Sequence, residues 1–311
     1  MSPPEPCIVA IGLSRSFGDR AAVDSMALEV LAGEIYGLIG PDGAGKTTLL
    51  RMLAGLLEPS SGNVRLMGLD PLGRDGAARE VLGYMPQQYS LYGDLSVDEN
   101  LAFFRELFCL EREAFEARRR RLLALTNLEP FGSRRADALS GGMYKKLALA
   151  CALLHEPSVL LLDEPTNGVD PVSRREFWDL LHDFLAEGMA IVLATPYMDE
   201  AARCHRVGLL HDGRLLEEGK PSELLHAFPH AVLRVTGDRK RVGVLSERDD
   251  DVLALTPSGA VLRMVVRQGA EPRVISDLLG IDAHAMPTSP SFEDLFLTRV
   301  RELARDQEAR P

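Results

Sequence analysis

Apolar positions in this chain fall into short unbroken runs, separated by longer stretches with helical spacing. Ile35-Tyr36-Gly37-Leu38-Ile39, Val159-Leu160-Leu161-Leu162 and Met189-Ala190-Ile191-Val192-Leu193-Ala194 are the clearest runs. Continuous runs of this kind predict strands of a mostly parallel sheet with both faces covered, the helices lying between them. Helices are expected over 48–54, 96–128, 142–155 and 172–187, and Ser96 with Glu99 gives the second a capping box. Shorter apolar stretches, Ile8-Val9-Ala10-Ile11 and Ala27-Leu28-Glu29-Val30, alternate with turns near the start. Val207-Gly208-Leu209-Leu210 and Arg214-Leu215-Leu216-Glu217 flank His211-Asp212-Gly213, a hairpin signal.

The pattern changes near Phe228-Pro229-His230. Strands are expected at 231–236, 252–256, 260–267 and 281–286, with a turn at Pro257-Ser258-Gly259 and helices at 238–247 and 272–279. The order βαββαβ predicts a small split βαβ module. A final helix starts at Ser291, with Asp294 as its capping partner. There is no internal repeat and no heptad run, which excludes long coiled-coil arms.

Composition narrows the function classes. The 311 residues carry a formal net charge of −11, with an apolar share of 46% and a charged share of 26%. The acidic balance argues against nucleic acid as a partner. No apolar run approaches the roughly 18 residues that span a bilayer, and Met1-Ser2-Pro3-Pro4-Glu5-Pro6 has no signal-peptide pattern. The expected location is the cytosol, with any membrane role supplied by a partner. Cys7, Cys109, Cys151 and Cys204 are widely spaced and read as reduced, mostly buried thiols, with Cys204-His205 structural. Arg118-Arg119-Arg120-Arg121 reads first as a solvated helix face, and second as a basic patch for lipid head groups or an acidic partner.

The chemistry is carried by motifs. Gly40-Pro41-Asp42-Gly43-Ala44-Gly45-Lys46-Thr47 reads G-x-x-x-x-G-K-T between an apolar strand and a helix that continues through Thr48. In that context the glycines let backbone N–H groups converge on phosphate oxygens, reinforced by the helix N-terminus. Lys46 is expected on the β- and γ-phosphates and the Thr47 hydroxyl on Mg²⁺. The apolar strand at 159–162 ends in Asp163-Glu164. Asp163 is expected in the Mg²⁺ shell, and Glu164 is expected to polarise the attacking water. Leu139-Ser140-Gly141-Gly142 opens a helix just before that strand, with Ser140 as candidate N-cap and an N-terminus open to an anion.

Together these motifs resemble the ATP-binding subunits of ABC transporters over residues 8 to about 225. Leu139-Ser140-Gly141-Gly142-Met143 resembles that family's signature, with Met143 in place of the usual Gln. The resemblance implies an α/β P-loop ATPase: a mostly parallel core sheet, an antiparallel β subdomain and a helical subdomain. It implies that Ser140, Gly141 and Gly142 meet ATP held by a second protomer, either another copy or a related cassette. Tyr84-Met85-Pro86-Gln87-Gln88 resembles the Q-loop, with Gln87 as the best match for sensing Mg²⁺ and water and Gln88 as the alternative. The stretch Leu91-Tyr92-Gly93-Asp94-Leu95 would lie near the groove that receives a membrane subunit. Phe17, 29 residues before Lys46, is placed to stack on adenine, and Asn167-Gly168-Val169-Asp170 resembles the D-loop, with Asp170 coupling two sites. One departure is Pro196, where the family has His after its strand; Tyr197 is the candidate substitute donor.

The organisation expected is a disordered start at 1–7, a cassette over 8–228 with its helical subdomain at about 88–155, and a small α+β accessory domain over 229–311. Met143, the long tail and Pro290-Ser291-Phe292-Glu293-Asp294-Leu295-Phe296 resemble drug- and antibiotic-export ATPases that pair with separate membrane subunits. The implied activity is ATP hydrolysis coupled to efflux of a drug-like or lipid-like compound, at the inner face of the cell membrane. Its rivals are a soluble ABC-type ATPase acting on ribosomes or DNA, and a slow, degenerate cassette.

Overall fold

The computed structural model describes residues 5–74, 76–88 and 91–308. The chain divides into two compact units, Met1–Glu217 and Glu218–Pro311. The division falls ahead of the expected boundary at 228, near the end of the strand Arg214–Gly219, and a short helix not foreseen from the sequence, Pro221–Ala227, follows it.

The first unit begins with β1 (Ile8–Phe17), β2 (Arg20–Val30), β3 (Ile35–Ile39), α1 (Lys46–Leu53), β4 (Ser61–Leu66) and β5 (Leu82–Met85). Then come α2 (Val97–Leu107), α3 (Arg112–Thr126), α4 (Gly141–Leu153), β6 (Val159–Asp163), α5 (Pro171–Ala186), β7 (Ala190–Thr195), β8 (Arg206–His211) and β9 (Arg214–Gly219). A six-stranded sheet runs in the order β5-β6-β7-β3-β8-β9, and its neighbours from β5 across to β8 pair in parallel. Every residue of β3, β6 and β7 is buried, which is why these strands read as unbroken apolar runs. Asp212 and Gly213 both take positive φ between β8 and β9, the conformation a two-residue hairpin turn needs. An antiparallel sheet, β2-β1-β4, packs with α1 and the parallel strands into one apolar cluster that includes Ile8, Leu28, Leu49, Leu50, Leu53, Val159 and Leu161.

Three expectations change in this unit. The single helix over 96–128 is two helices, because Cys109 takes φ 52 and turns the chain between α2 and α3. Cys109 is exposed, whereas the other three thiols are buried. The arginine run is only partly a solvated face: Arg120 and Arg121 are exposed, but Arg118 pairs with Glu156 at 2.5 Å, Arg119 with Asp98 at 2.5 Å, and Arg121 with Glu187. These pairs tie α3 to its neighbours. Cys7, expected in the disordered start, is buried and donates its N–H to Val30 O at 2.8 Å; residues 1–4 lie outside the described residues.

The second unit holds α6 (Pro221–Ala227), β10 (Ala231–Thr236), α7 (Arg239–Arg248), β11 (Val252–Ser258), β12 (Val261–Val266), α8 (Glu271–Leu279), β13 (His284–Thr288) and α9 (Phe292–Glu308). Its sheet runs β11-β12-β10-β13, with antiparallel neighbours throughout, as the βαββαβ order requires. Val242 of α7 and Val274 and Leu278 of α8 cover one core with Leu233, Met264 and Val266. Asp294 accepts from the Ser291 amide at 2.8 Å and pairs with Arg263 at 2.5 Å, fixing the start of α9. Among the described residues no helix is long and apolar enough to cross a membrane.

Candidate nucleotide site

The loop between β3 and α1 wraps the N-terminus of a helix. Gly45 takes φ 104, and a side chain there would strike the Ala22 carbonyl; one at Gly40 would strike the Leu210 carbonyl. These glycines let the loop pass close to β2 and β8. Lys46, the first residue of α1, is 3% exposed and donates to Gly40 O at 2.8 Å and Pro41 O at 2.9 Å. Burial pulls its ammonium below the usual lysine range, and Glu164, Asp42 and Asp163 oppose that. Thr47 donates its hydroxyl to Asp163 Oδ1 at 3.0 Å.

Asp163 and Glu164 stand at the C-terminal end of β6, where parallel strands present their ligand sites. Asp163 is 1% exposed, and burial raises its carboxyl above the ordinary range, with the Thr47 hydrogen bond acting the other way. Its Oδ2 is buried without a hydrogen-bond partner among the described residues. An unpaired carboxylate oxygen beside a threonine hydroxyl is a donor set that suits Mg²⁺. Glu164 takes φ 48, a left-handed conformation, while its amide donates to Ala194 O at 2.9 Å. That turn aims the carboxylate at the loop. Oε2 accepts from Gln87 Nε2 at 2.8 Å and Asn167 Nδ2 at 3.0 Å, and Oε1 lies 3.9 Å from Lys46 Nζ.

A cleft of about 490 Å³ is lined by Phe17, Asp42, Gly43, Gly45, Lys46, Thr47, Thr48, Gln87 and Glu164, together with Arg20 and Ala22. Phe17 is half-exposed at the cleft edge, with the Arg15 guanidinium 4.9 Å from its ring centre. Gln88 is exposed, so of the two glutamines it is Gln87 that meets Glu164. Gly40, Pro41 and Ala44 shape the loop from behind: Ala44 donates its N–H to Pro41 O at 3.2 Å.

Ser140, Gly141, Gly142 and Asp170 do not line this cleft. Ser140 caps α4, accepting from the Met143 amide at 3.3 Å. Asp170 caps α5, accepting from the Val172 and Ser173 amides at 3.0 Å, and the Ser173 hydrogen bonds hold its carboxyl low. A side chain at Gly142 would sit 2.5 Å from Ser173 Cβ, so the first turns of α4 and α5 are in close contact.

Three further residues support this site; Asn167 falls in the stretch that resembles the D-loop, whereas Lys145 and Glu200 belong to no motif. Lys145 of α4 donates to the backbone carbonyls of Gln87 at 3.2 Å and Glu164 at 3.4 Å. Its one sequence signal, a charge on a largely apolar helix, is shared with the adjacent Lys146, which pairs instead with Glu176 at 2.5 Å. Asn167 holds Glu164 as described. Glu200 is fully buried, accepting from Thr166 Oγ1 at 2.7 Å and Trp178 Nε1 at 3.3 Å. Tyr197, the expected substitute for a histidine donor, is absent from the cleft lining; its hydroxyl donates to Asn167 Oδ1 at 3.1 Å.

Comparison with known proteins identifies the family of the chain. A family profile described as ABC transporter matches residues 23–167. The chain is 44% identical over 296 residues to the probable multidrug ABC transporter ATP-binding protein YbhF of Escherichia coli, covering 92% of this chain and 50% of that protein. It therefore spans about half the length of that relative. It is 36% identical over 314 residues to the Nod factor export ATP-binding protein I of Ralstonia nicotianae, covering 97% of this chain and 96% of that one. A solved structure described as the ATP binding subunit of an ABC transporter matches with a TM-score of 0.64 and 28% identity, over 71% of this chain and 93% of that one. The dimeric cassette MJ0796, bound to ADP and Pi, matches with a TM-score of 0.62 and 26% identity, over 68% of this chain and 98% of that one. The chain belongs to the ABC transporter family of ATP-binding proteins.

Proposed function

We propose that this chain is the ATP-hydrolysing subunit of an export system, turning ATP and water into ADP and phosphate. The observation that carries this reading is the convergence of Lys46, Thr47, Gln87 and Glu164 on one cleft, with Asp163 hydrogen-bonded to Thr47 beside it. Lys46 offsets the charge of the β- and γ-phosphates. Thr47 Oγ1 and Asp163 Oδ2 would hold Mg²⁺, which neutralises phosphate charge when bound. Gln87 and Asn167 occupy Oε2 of Glu164, which orients Oε1 as the oxygen that takes a proton from the attacking water. Phe17 offers its exposed ring to the adenine.

Ser140, Gly141, Gly142 and Asp170 lie outside the cleft, which fits a role across a dimer with a second copy or a related cassette. The dimeric form of MJ0796 supports that arrangement. The names of the relatives, a multidrug protein and a Nod factor exporter, support efflux of a drug-like or lipid-like compound through partner membrane subunits. On this reading the chain works at the inner face of the membrane, with its cassette over 8–228 and an accessory domain over 229–311. Nucleic acid is not expected as a partner. Pro196 gives the slow-cassette reading its one support, because proline has no donor to offer phosphate. The test is Mg²⁺-dependent ATP turnover by the purified full chain, with recovery of a multi-span membrane protein alongside it. A chain that binds ATP without turnover would leave the slow cassette as the better reading.

A further inference from the structure

The segment after β7 touches the turn after β6 at two places. Tyr197 donates its hydroxyl to Asn167 Oδ1 at 3.1 Å, and Thr166 Oγ1 donates to the buried Glu200 at 2.7 Å. Asn167 in turn donates from Nδ2 to Glu164 Oε2 at 3.0 Å. The Asn167 amide therefore has each end engaged: its oxygen accepts from Tyr197 while its nitrogen donates to the reacting carboxylate. An amide whose oxygen is held cannot turn over without losing both bonds. Tyr197 is held in turn. Its ring lies 4.4 Å under the Arg174 guanidinium, and its amide donates to the buried Thr195 Oγ1 at 3.1 Å.

We propose that Tyr197 is a positioning residue for hydrolysis, acting through Asn167 to fix the orientation of Glu164. The strand that leads to Pro196 then still serves the reaction, but by aiming the base rather than by touching phosphate. This rests on the ATPase reading above.

Tyr197→Phe removes only the hydroxyl. Losing one such neutral hydrogen bond is expected to lower kcat by about two- to tenfold, with the ATP dissociation constant unchanged. Asn167→Ala removes the donor to the carboxylate and is expected to cost about ten- to a hundredfold in kcat. Asn167→Asp keeps an acceptor for Tyr197 but replaces the donor by a second carboxylate beside Glu164, so it should lower kcat at least as far as Asn167→Ala. In Asn167→Ala the Tyr197→Phe change should cost nothing more, because the relay is already cut. Additive losses, or a loss that appears in KM alone, would overturn the proposal. Hydrogen–deuterium exchange of the 163–170 peptide in the nucleotide-free full chain separates this idea from the ATPase reading. Tyr197→Phe should speed that exchange whether or not the protein turns over ATP. Unchanged exchange together with unchanged kcat defeats the relay, whereas absent turnover in the unaltered protein defeats only the reading on which it rests.

Discussion

Lys46 Nζ stands 3.9 Å from Glu164 Oε1, and both side chains are almost wholly buried. The same ammonium donates to the Gly40 and Pro41 carbonyls, so the lysine is folded onto its own loop. Arriving phosphate competes with these three oxygens. Lys46→Ala is expected to lose most ATP binding. Glu164→Gln should keep binding and lower turnover by about 10²–10⁴-fold, the usual worth of a general base. It should also accumulate an ATP-bound dimer on size-exclusion chromatography. Fluorescent-nucleotide binding beside steady-state phosphate release checks both, and normal turnover in Glu164→Gln would remove that residue from its role.

Lys145 links three parts of the site: α4, the Gln87 peptide and the Glu164 peptide. Lys145→Met keeps the aliphatic stem and loses the donors. We expect kcat to fall about three- to tenfold, in line with one or two weak hydrogen bonds, while nucleotide affinity holds. Lys145→Arg should restore part of the rate. An unaltered kcat in Lys145→Met would show that the two carbonyls are placed without it.

Asp163 gives a pH prediction. Its pKa is raised in the folded chain, chiefly by burial, so the folded state holds the proton more tightly than the unfolded one. Stability from this group is full below the ordinary value of 3.8 and is lost as pH rises through the raised value. Asp163→Asn removes the buried charge and keeps an acceptor for Thr47. At neutral pH, without nucleotide or Mg²⁺, it should melt about 2–4 °C higher, the shift expected of roughly 1 kcal/mol in a unit of this size. The difference should vanish below the ordinary carboxylate value, and Mg²⁺-dependent turnover should be lost. Calorimetry across pH in EDTA tests the sign.

Gly142 has no room for a side chain against Ser173. Gly142→Ala is expected to destabilise by about 1–3 kcal/mol, as overpacking usually does. Adding Ser173→Gly clears the contact and should recover most of the loss. Urea unfolding of the single and double variants reads this directly, and a Gly142→Ala chain as stable as the parent would show that the first turns of the two helices move apart freely.

Legibility in the sequence follows the range of the interaction. The strand, loop and helix around Lys46, and the strand ending in Asp163-Glu164, are contiguous and carry their own punctuation. The break between α2 and α3 is hidden because Cys109, rather than glycine or proline, takes the positive φ. The ion pairs of the arginine run are hidden because the partners Asp98, Glu156 and Glu187 are distant in sequence. The contacts of Lys145 and Tyr197 escape a sequence reading for the same reason: each reaches a residue of another loop.

The left-handed backbone at Glu164 sets durability against chemistry at one residue. A non-glycine there costs on the order of 1–3 kcal/mol, and glycine adopts the same φ without penalty. Glu164→Gly relieves that strain but strips Gln87, Asn167 and the buried Lys46 of their shared partner, so its melting temperature should stay close to the parent's while ATP turnover is lost. A ranking of variants by melting temperature would pass a dead enzyme as sound, so any stabilisation of this protein has to be scored on turnover as well.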